Sequence, residues 1–462
     1  MSSLPLPIQR IADYYRDPEY FANLRRLALP IIAQQFIFAA LNMVGVMMLG
    51  RVGETAVAAV GLAGQVFFLL NLLLFGIISG SAMFTAQYWG KGDLPGVHRA
   101  LGLCLALALT ASLIFFAVSE FASEKILSLY SDDPAVILVG ADYLRLFAWT
   151  FIFFAVTASY SLVLRSVGDV NTPNLISIAT FILNTILTYG FIFGELWLPK
   201  LGVQGVALAA VITRFLECAI LLFFIYAKKS PVAATLRELT HVDFRFIGHF
   251  IRPVLPVILN EMLWSLGITA YNAIYGHIST DAIAAMNIVY TIDLMAIVVF
   301  LGINSATSVM VGNLIGAGKE DEAHRTAGRS LGLGAAGGIL TGILIALIKL
   351  PILALYDVSP SVLGDASRVL VVISLFLWIR INNSMIVVSI LRAGGDTVYS
   401  LVLDGVIIWV AGVPLAALGA FVFHLPVYFV YLCAMSEETV KWFLGMNRYF
   451  SRKWIRNLAH PI

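Results

Sequence analysis

The chain of 462 residues is 60% hydrophobic and 12% charged, with a formal net charge of +2. A soluble core of this length cannot hide so much apolar surface, so lipid must cover the remainder. The near-neutral balance also excludes a nucleic-acid footprint.

Apolar runs of about 20 residues recur about every 35, the length a helix needs to cross a roughly 30 Å hydrocarbon layer. They are continuous, whereas a membrane barrel would show short alternating segments. The first run follows a polar segment with Arg10, Arg16, Arg25 and Arg26 and lacks a small-residue cleavage site, so it is expected to remain as a membrane helix. Six spans are predicted in the first half, at 27–49, 57–80, 99–119, 137–160, 174–194 and 203–227. Six more follow at 253–276, 282–310, 328–350, 366–390, 399–420 and 424–444. Their glycines suit close helix packing in lipid. Cys104, Cys218 and Cys433 fall inside these runs without redox or metal spacing and read as small packing residues.

With the amino terminus in the cytoplasm, 21 of the 29 Lys and Arg residues lie on the inner side. The positive-inside rule thus places both termini in the cytoplasm of a multi-pass protein of the cell (inner or plasma) membrane. The basic segment 441–456, with Trp442 and Trp454, has the composition of an amphipathic stretch lying along anionic lipid.

Shifted by 226 residues, the second half lies on the first. Pro30 meets Pro256, Gly50 meets Gly276, Gly76 meets Gly302, Ser79 meets Ser305, Gly90 meets Gly316, and His98-Arg99 meets His324-Arg325. One residue later in phase, Leu164-Arg165-Ser166-Val167-Gly168-Asp169 matches Leu391-Arg392-Ala393-Gly394-Gly395-Asp396. The organisation predicted is an amino-terminal lobe 1–227, a basic linker 228–252 and a carboxy-terminal lobe 253–462 with a basic tail. Six helices per copy give both copies the same orientation, as in parallel-repeat transporters. His98 and His324, ahead of the third helix of each half, are expected at the surface.

These residues resemble the multidrug and toxic compound extrusion (MATE) family over nearly the whole chain. The resemblance is carried by Pro30 with Gly50-Arg51-Val52-Gly53 and by Thr85-Ala86-Gln87-Tyr88-Trp89-Gly90-Lys91-Gly92. It continues in Pro256 with Gly276, Gly312-Asn313-Leu314-Ile315-Gly316-Ala317-Gly318, the two Leu-Arg-x-x-Gly-Asp segments, and Asn184 ahead of Phe193-Gly194. It implies a two-lobed all-α membrane fold of twelve helices. The function implied is antiport, by alternating access, of amphipathic organic cations or drugs against Na⁺ or H⁺. No cofactor other than the coupling ion is expected, the partners being a small organic molecule and membrane lipid, and one chain suffices as a monomer.

A charge at the bilayer centre costs on the order of 3 kcal/mol, so a retained one faces a cavity or a partner. Glu261, about 12 Å into the seventh span, is the first candidate for coupling and for a Na⁺ ligand, and matches a family coupling position. Asp293 and Arg380 reach about 16 Å from their nearest ends, and Asp404 is shallower. Arg380 either joins the coupling set or locks one of its acids. Trp264, Ile268, Tyr271 and Tyr275 follow Glu261 at steps of 3, 4, 3 and 4, one helical stripe. Trp264 and Tyr271 on it suit an organic cation, with aromatic packing as the plain alternative. The first half departs from the family pattern. Its helix-1 acid falls on Gly45, and Thr188 stands where some relatives carry an acid, leaving the neutral Gln35, Asn42, Asn184 and Thr188 as substrate contacts. Asn382 and Asn383 stand near the helix-10 acid of some relatives. Arg214 and Glu217, three apart, are expected to neutralise each other.

A lipid-linked saccharide flippase is the main alternative, though its anionic substrate favours a cationic cavity. A channel or a membrane-embedded enzyme is the remote one, since no catalytic or metal motif occurs.

Overall fold

The computed structural model describes residues 14–459, all of them helical or connecting segments; Arg10 lies outside the described residues. The helices are α1 Pro18–Gly50, α2 Glu54–Lys91, α3 Leu94–Leu127, α4 Pro134–Phe147 continued by Trp149–Ser166, α5 Asn171–Phe193 and α6 Val203–Ala227. The second half contains α7 Phe244–Ile278, α8 Thr280–Gly316, α9 Glu320–Leu353, α10 Pro360–Leu391, α11 Thr397–Val422 and α12 Val427–Phe450. Of these, α1 to α11 are long and apolar enough to cross a membrane by length and composition. The twelfth matches them in length but carries Glu437, Glu438 and Lys441 within it.

Local signals fix the ends. Asp93 and Asp133 cap α3 and α4 by accepting from the Gly96 and Ala135 amides at 2.9 Å each, and Ser279 caps α8. Gly92 and Gly194 end α2 and α5 at φ 79° and 76°, where a side chain would be strained. The end of α10 and most of α11 are wound as π-helical turns, Met385–Leu391, Val402–Val406, Ile408–Gly412 and Leu418–Val422, with Asp404 and Gly412 inside them. Such turns re-aim side chains and gather at functional positions.

The chain divides into two compact units, Pro30–Val254 and 255–459 together with 14–29. Helix α1 therefore starts in the second unit and α7 starts in the first. In the first unit the opening turns of α7 place Phe250 on Phe84, with ring centroids 5.0 Å apart. In the second, Arg329 of α9 grips the start of α1: its Nε donates to the Tyr14 carbonyl at 2.7 Å and its guanidinium pairs with Asp17, while Tyr20 meets Ser330 at 3.0 Å. Gly338 and Gly342 let α9 lie against the backbone of Trp378 and Ser374 on α10, where a methyl group would collide. Leu370, Ile373, Leu377 and Met385 fill the core of this unit.

Two expectations are corrected. The segment 441–456 is not exposed along its whole length: Lys441 is buried within α12, and the residues after α12 fold back on the start of α11. Trp454 is fully buried, and Arg448 and Arg456 each hold an oxygen of Asp396 at 2.7 Å. His98 is not a surface residue either, because the linker covers it and its Nε2 bonds the Pro231 carbonyl at 2.8 Å. Its counterpart His324 is half-buried and stacks on Tyr449 at 4.4 Å.

Candidate functional site

The second unit buries an ionic network between α7, α8, α10, α11 and α12. Glu261, two turns into the hydrophobic part of α7, receives Arg392 Nη2 at 2.6 Å, and both side chains are almost fully buried. Arg392 closes α10 in the Leu-Arg-x-x-Gly-Asp segment, so the motif that ends the helix also supplies the countercharge. Asp293 on α8 is held by Arg380 of α10 through two bonds of 2.8 and 3.0 Å, the bidentate geometry that a guanidinium favours.

The third cluster is not balanced. Lys441 on α12 lies 3.2 Å from Asp404 Oδ1 and 3.3 Å from Glu437 Oε1, one ammonium between two carboxylates. Asn260, beside Glu261, donates to Asp404 Oδ2 at 3.1 Å. One turn along, Asn383 donates to the side chain and the carbonyl of Glu438, both at 2.7 Å. Asn382 is buried beside it. Together these five carboxylates face three bases, leaving the network negative when all are ionised.

The aromatic stripe of α7 divides. Tyr271 and Tyr275 are buried in this unit and stacked at 6.4 Å, with Tyr431 of α12 beyond them. Trp264 is 37% exposed.

In the first unit no acid stands at the position equivalent to Glu261, and its arginine counterpart meets amides. Arg165, counterpart of Arg392, donates to Gln34 at 3.1 Å and Asn174 at 2.9 Å. Gln35, which the repeat sets opposite Glu261, is half-buried, and Asn42 is exposed. Asn184 donates to Thr213 at 3.1 Å, and Thr188 is buried. Arg214 pairs with Glu217 at 2.7 Å, and Ser177 donates to the other Glu217 oxygen at 2.5 Å.

Among the described residues no three His, Cys, Asp or Glu side chains converge to hold a metal ion. An alkali cation at Glu261 would have to displace Arg392 or share the acid with it. The sequence reading missed Arg392, Lys441, Glu437, Glu438 and Asn260. The signals for them were the base repeated as Arg165 and Arg392, and the i,i+4 pair of Glu437 and Lys441 inside an apolar span.

Comparison with known proteins agrees with this architecture. The MatE family model matches residues 30–190 and again 256–418, so its two matches begin 226 residues apart, the period of the repeat. A probable multidrug resistance protein NorM from Thermotoga maritima is 23% identical, over 95% of this chain and 94% of that protein. The probable multidrug resistance protein YoeA of Bacillus subtilis is 27% identical, over 86% and 87%. Among solved structures, a MOP superfamily transporter from Pyrococcus furiosus superposes with a TM-score of 0.85 at 19% identity, covering 95% of this chain and 96% of that one. It is described as having a binding pocket of reversed polarity that suggests a different function. An outward-facing multidrug resistance MATE transporter superposes at 0.84 with 20% identity, over 93% and 96%. The all-α fold, its two-lobed architecture and the family match over both halves lead to one conclusion: the chain belongs to the MATE family of multi-pass membrane transporters.

Proposed function

We propose that the protein is a secondary antiporter that exports amphipathic organic cations in exchange for Na⁺ or H⁺, with coupling carried by the carboxylates of the second unit. The observation that carries this reading is the imbalance within the ionic network of the second unit, where five buried or half-buried acids face three bases, while the first unit sets neutral residues at the matching acid positions. A negative interior attracts a cation, and a charge kept away from water strengthens that attraction. When Na⁺ or a proton neutralises Glu261, Arg392 loses its partner and the hold on an organic cation weakens. The coupling ion thereby favours the alternative arrangement of the two repeats, 1–227 and 253–462, joined by the linker. Gln35, Asn42, Asn184, Thr188, Asn382 and Asn383 are proposed as neutral contacts for substrate, with Trp264 and Tyr271 as aromatic ones. Both termini are placed in the cytoplasm by the distribution of Lys and Arg, and a monomer is sufficient because each chain holds both repeats.

A second reading, transport of an anionic or lipid-linked substrate, draws on Arg165, whose positive charge among the described residues rests on the amides of Gln34 and Asn174. One experiment separates the two. In proteoliposomes loaded with ethidium, an imposed Na⁺ or proton gradient is expected to drive efflux that Glu261→Gln abolishes. Wild-type rates in that variant remove Glu261 from the coupling set. Flux under neither gradient, together with translocation of a fluorescent lipid-linked saccharide, selects the second reading.

A further inference from the structure

Tyr271 and Glu437 present two buried polar atoms that the ionic network leaves over. Glu437 is 3% exposed and its Oε1 is held by Lys441, but among the described residues its Oε2 has no hydrogen-bond partner. Tyr271, 5% exposed, likewise has no partner for its hydroxyl among the described residues. The two atoms converge on the same point: a methyl group at Gly412 would collide with both Tyr271 Oη and Glu437 Oε2. Gly412 stands in a π-helical turn of α11 and opens the space they share. An unsatisfied buried polar group is costly, and a carboxylate without a full set of donors is more so.

The charges around this point are known from every packed element. Lys441 and Glu438 lie on the same helix, Asp404 on α11, Tyr271 and Tyr275 on α7, and Arg380 and Asn383 on α10. Arg380 is committed to Asp293, and Asn383 to Glu438. One ammonium, Lys441, therefore serves two carboxylates and leaves one negative charge in excess. Asp404 has donors on both oxygens, from Lys441 and Asn260, and its side chain is 20% exposed. Glu437 has one donor and is enclosed. The excess charge is relieved at lowest cost by a proton on Glu437 Oε2.

We propose that Glu437 is a proton-binding site of the carrier, with Tyr271 as its hydrogen-bond partner and Lys441 as the cation shared with Asp404. Ionised, Glu437 accepts from the Tyr271 hydroxyl. Protonated, its O–H donates to the Tyr271 oxygen, and Lys441 moves its charge toward Asp404. Both states satisfy the two leftover atoms, which suits a group that must load and unload a proton. This assignment rests on the coupled-antiport reading and names the proton as a coupling ion and α12 as a carrier of it.

Infrared difference spectroscopy of the purified protein in lipid nanodiscs, stepped between alkaline and acid pH, tests it without any substrate. The carbonyl stretch of a protonated carboxylic acid is expected to appear in the wild type on acidification and to shift in D₂O. It is lost in Glu437→Gln, and in Tyr271→Phe it persists at a higher frequency because a hydrogen bond is missing. The Tyr271→Phe spectrum decides the matter if Glu437→Gln does not fold. A band that survives Glu437→Gln, a band unmoved in Tyr271→Phe, or no titrating band in the wild type overturns the assignment. Because no transport is read, loss of coupled flux and loss of this site are separate results.

Discussion

The two units descend from one repeated pattern and handle intramembrane charge in opposite ways. At matching positions, Arg165 rests on two amides while Arg392 rests on the carboxylate of Glu261. On the sixth helix of each half, Glu217 has both oxygens satisfied by Ser177 and Arg214, whereas Glu437 has one oxygen satisfied by a lysine it shares. The first unit thus pairs its buried Glu217 fully and sets the guanidinium of Arg165 on neutral amides, whereas the ionic network of the second holds more negative charge than it can pair. A symmetric scaffold with asymmetric charge lets one half respond to cations while the other keeps its structure.

The largest effect expected from this contrast is on stability. Arg392→Leu leaves Glu261 as an uncompensated buried charge and is expected to destabilise the protein by about 3–5 kcal/mol. Arg165→Leu strands only neutral acceptors and is expected to cost about 1–3 kcal/mol. Thermal unfolding in detergent measures both, and equal losses would break the comparison. Restoration of stability in the double variant Arg392→Leu with Glu261→Gln would sharpen it.

A smaller effect separates two glycines. Gly412→Ala drives a methyl group into Tyr271 and Glu437 and is expected to cost about 1–3 kcal/mol, whereas Gly45→Ala meets open space and is expected to change stability by about 0.5 kcal/mol or less. The same unfolding assay ranks them, and a Gly45→Ala loss as large as that of Gly412→Ala would refute the packing argument.

The smallest expected effect lies outside the membrane. Asp17 accepts from the Tyr20 amide and pairs with Arg329, and these contacts hold its carboxyl below the usual carboxylate range. A depressed folded-state pKa contributes stability above the unfolded value and loses it as pH falls through the folded one. Hydrogen exchange at the Tyr20 amide, corrected for intrinsic rate, is therefore expected to lose protection in acid. In Asp17→Asn the protection is expected to be low and flat with pH. A pH-independent wild type would remove Asp17 from the clamp on α1.

Much of the fold is legible in the sequence because lipid imposes one rule, a continuous apolar run for each crossing, and because the repeat appears at a fixed offset. The helices extend past the predicted spans where capping residues such as Asp93 and Asp133 lie beyond the apolar stretch. Glu261, Asp293 and Asp404 are visible in the sequence as charges at depth, and Arg380 as a lock on one acid, but which base holds which acid is not. Arg392 reaches Glu261 across 131 residues and Arg380 reaches Asp293 across 87, and no local periodicity records such a pairing. Lys441 was hidden by its neighbourhood, since a basic, Trp-bearing segment has the same composition whether it lies on lipid or folds back on its own helix ends. His98 was hidden for a similar reason, because the cover over it comes from the linker more than 130 residues away.

The most direct test of the account places one variant from each unit in the same ethidium-loaded proteoliposomes. Under an imposed cation gradient, Glu217→Gln in the first unit is expected to retain gradient-driven efflux, while Glu261→Gln in the second is expected to lose it with the protein still folded and inserted. Loss of coupling in Glu217→Gln with retention in Glu261→Gln would contradict the claim that the second unit carries the coupling charge.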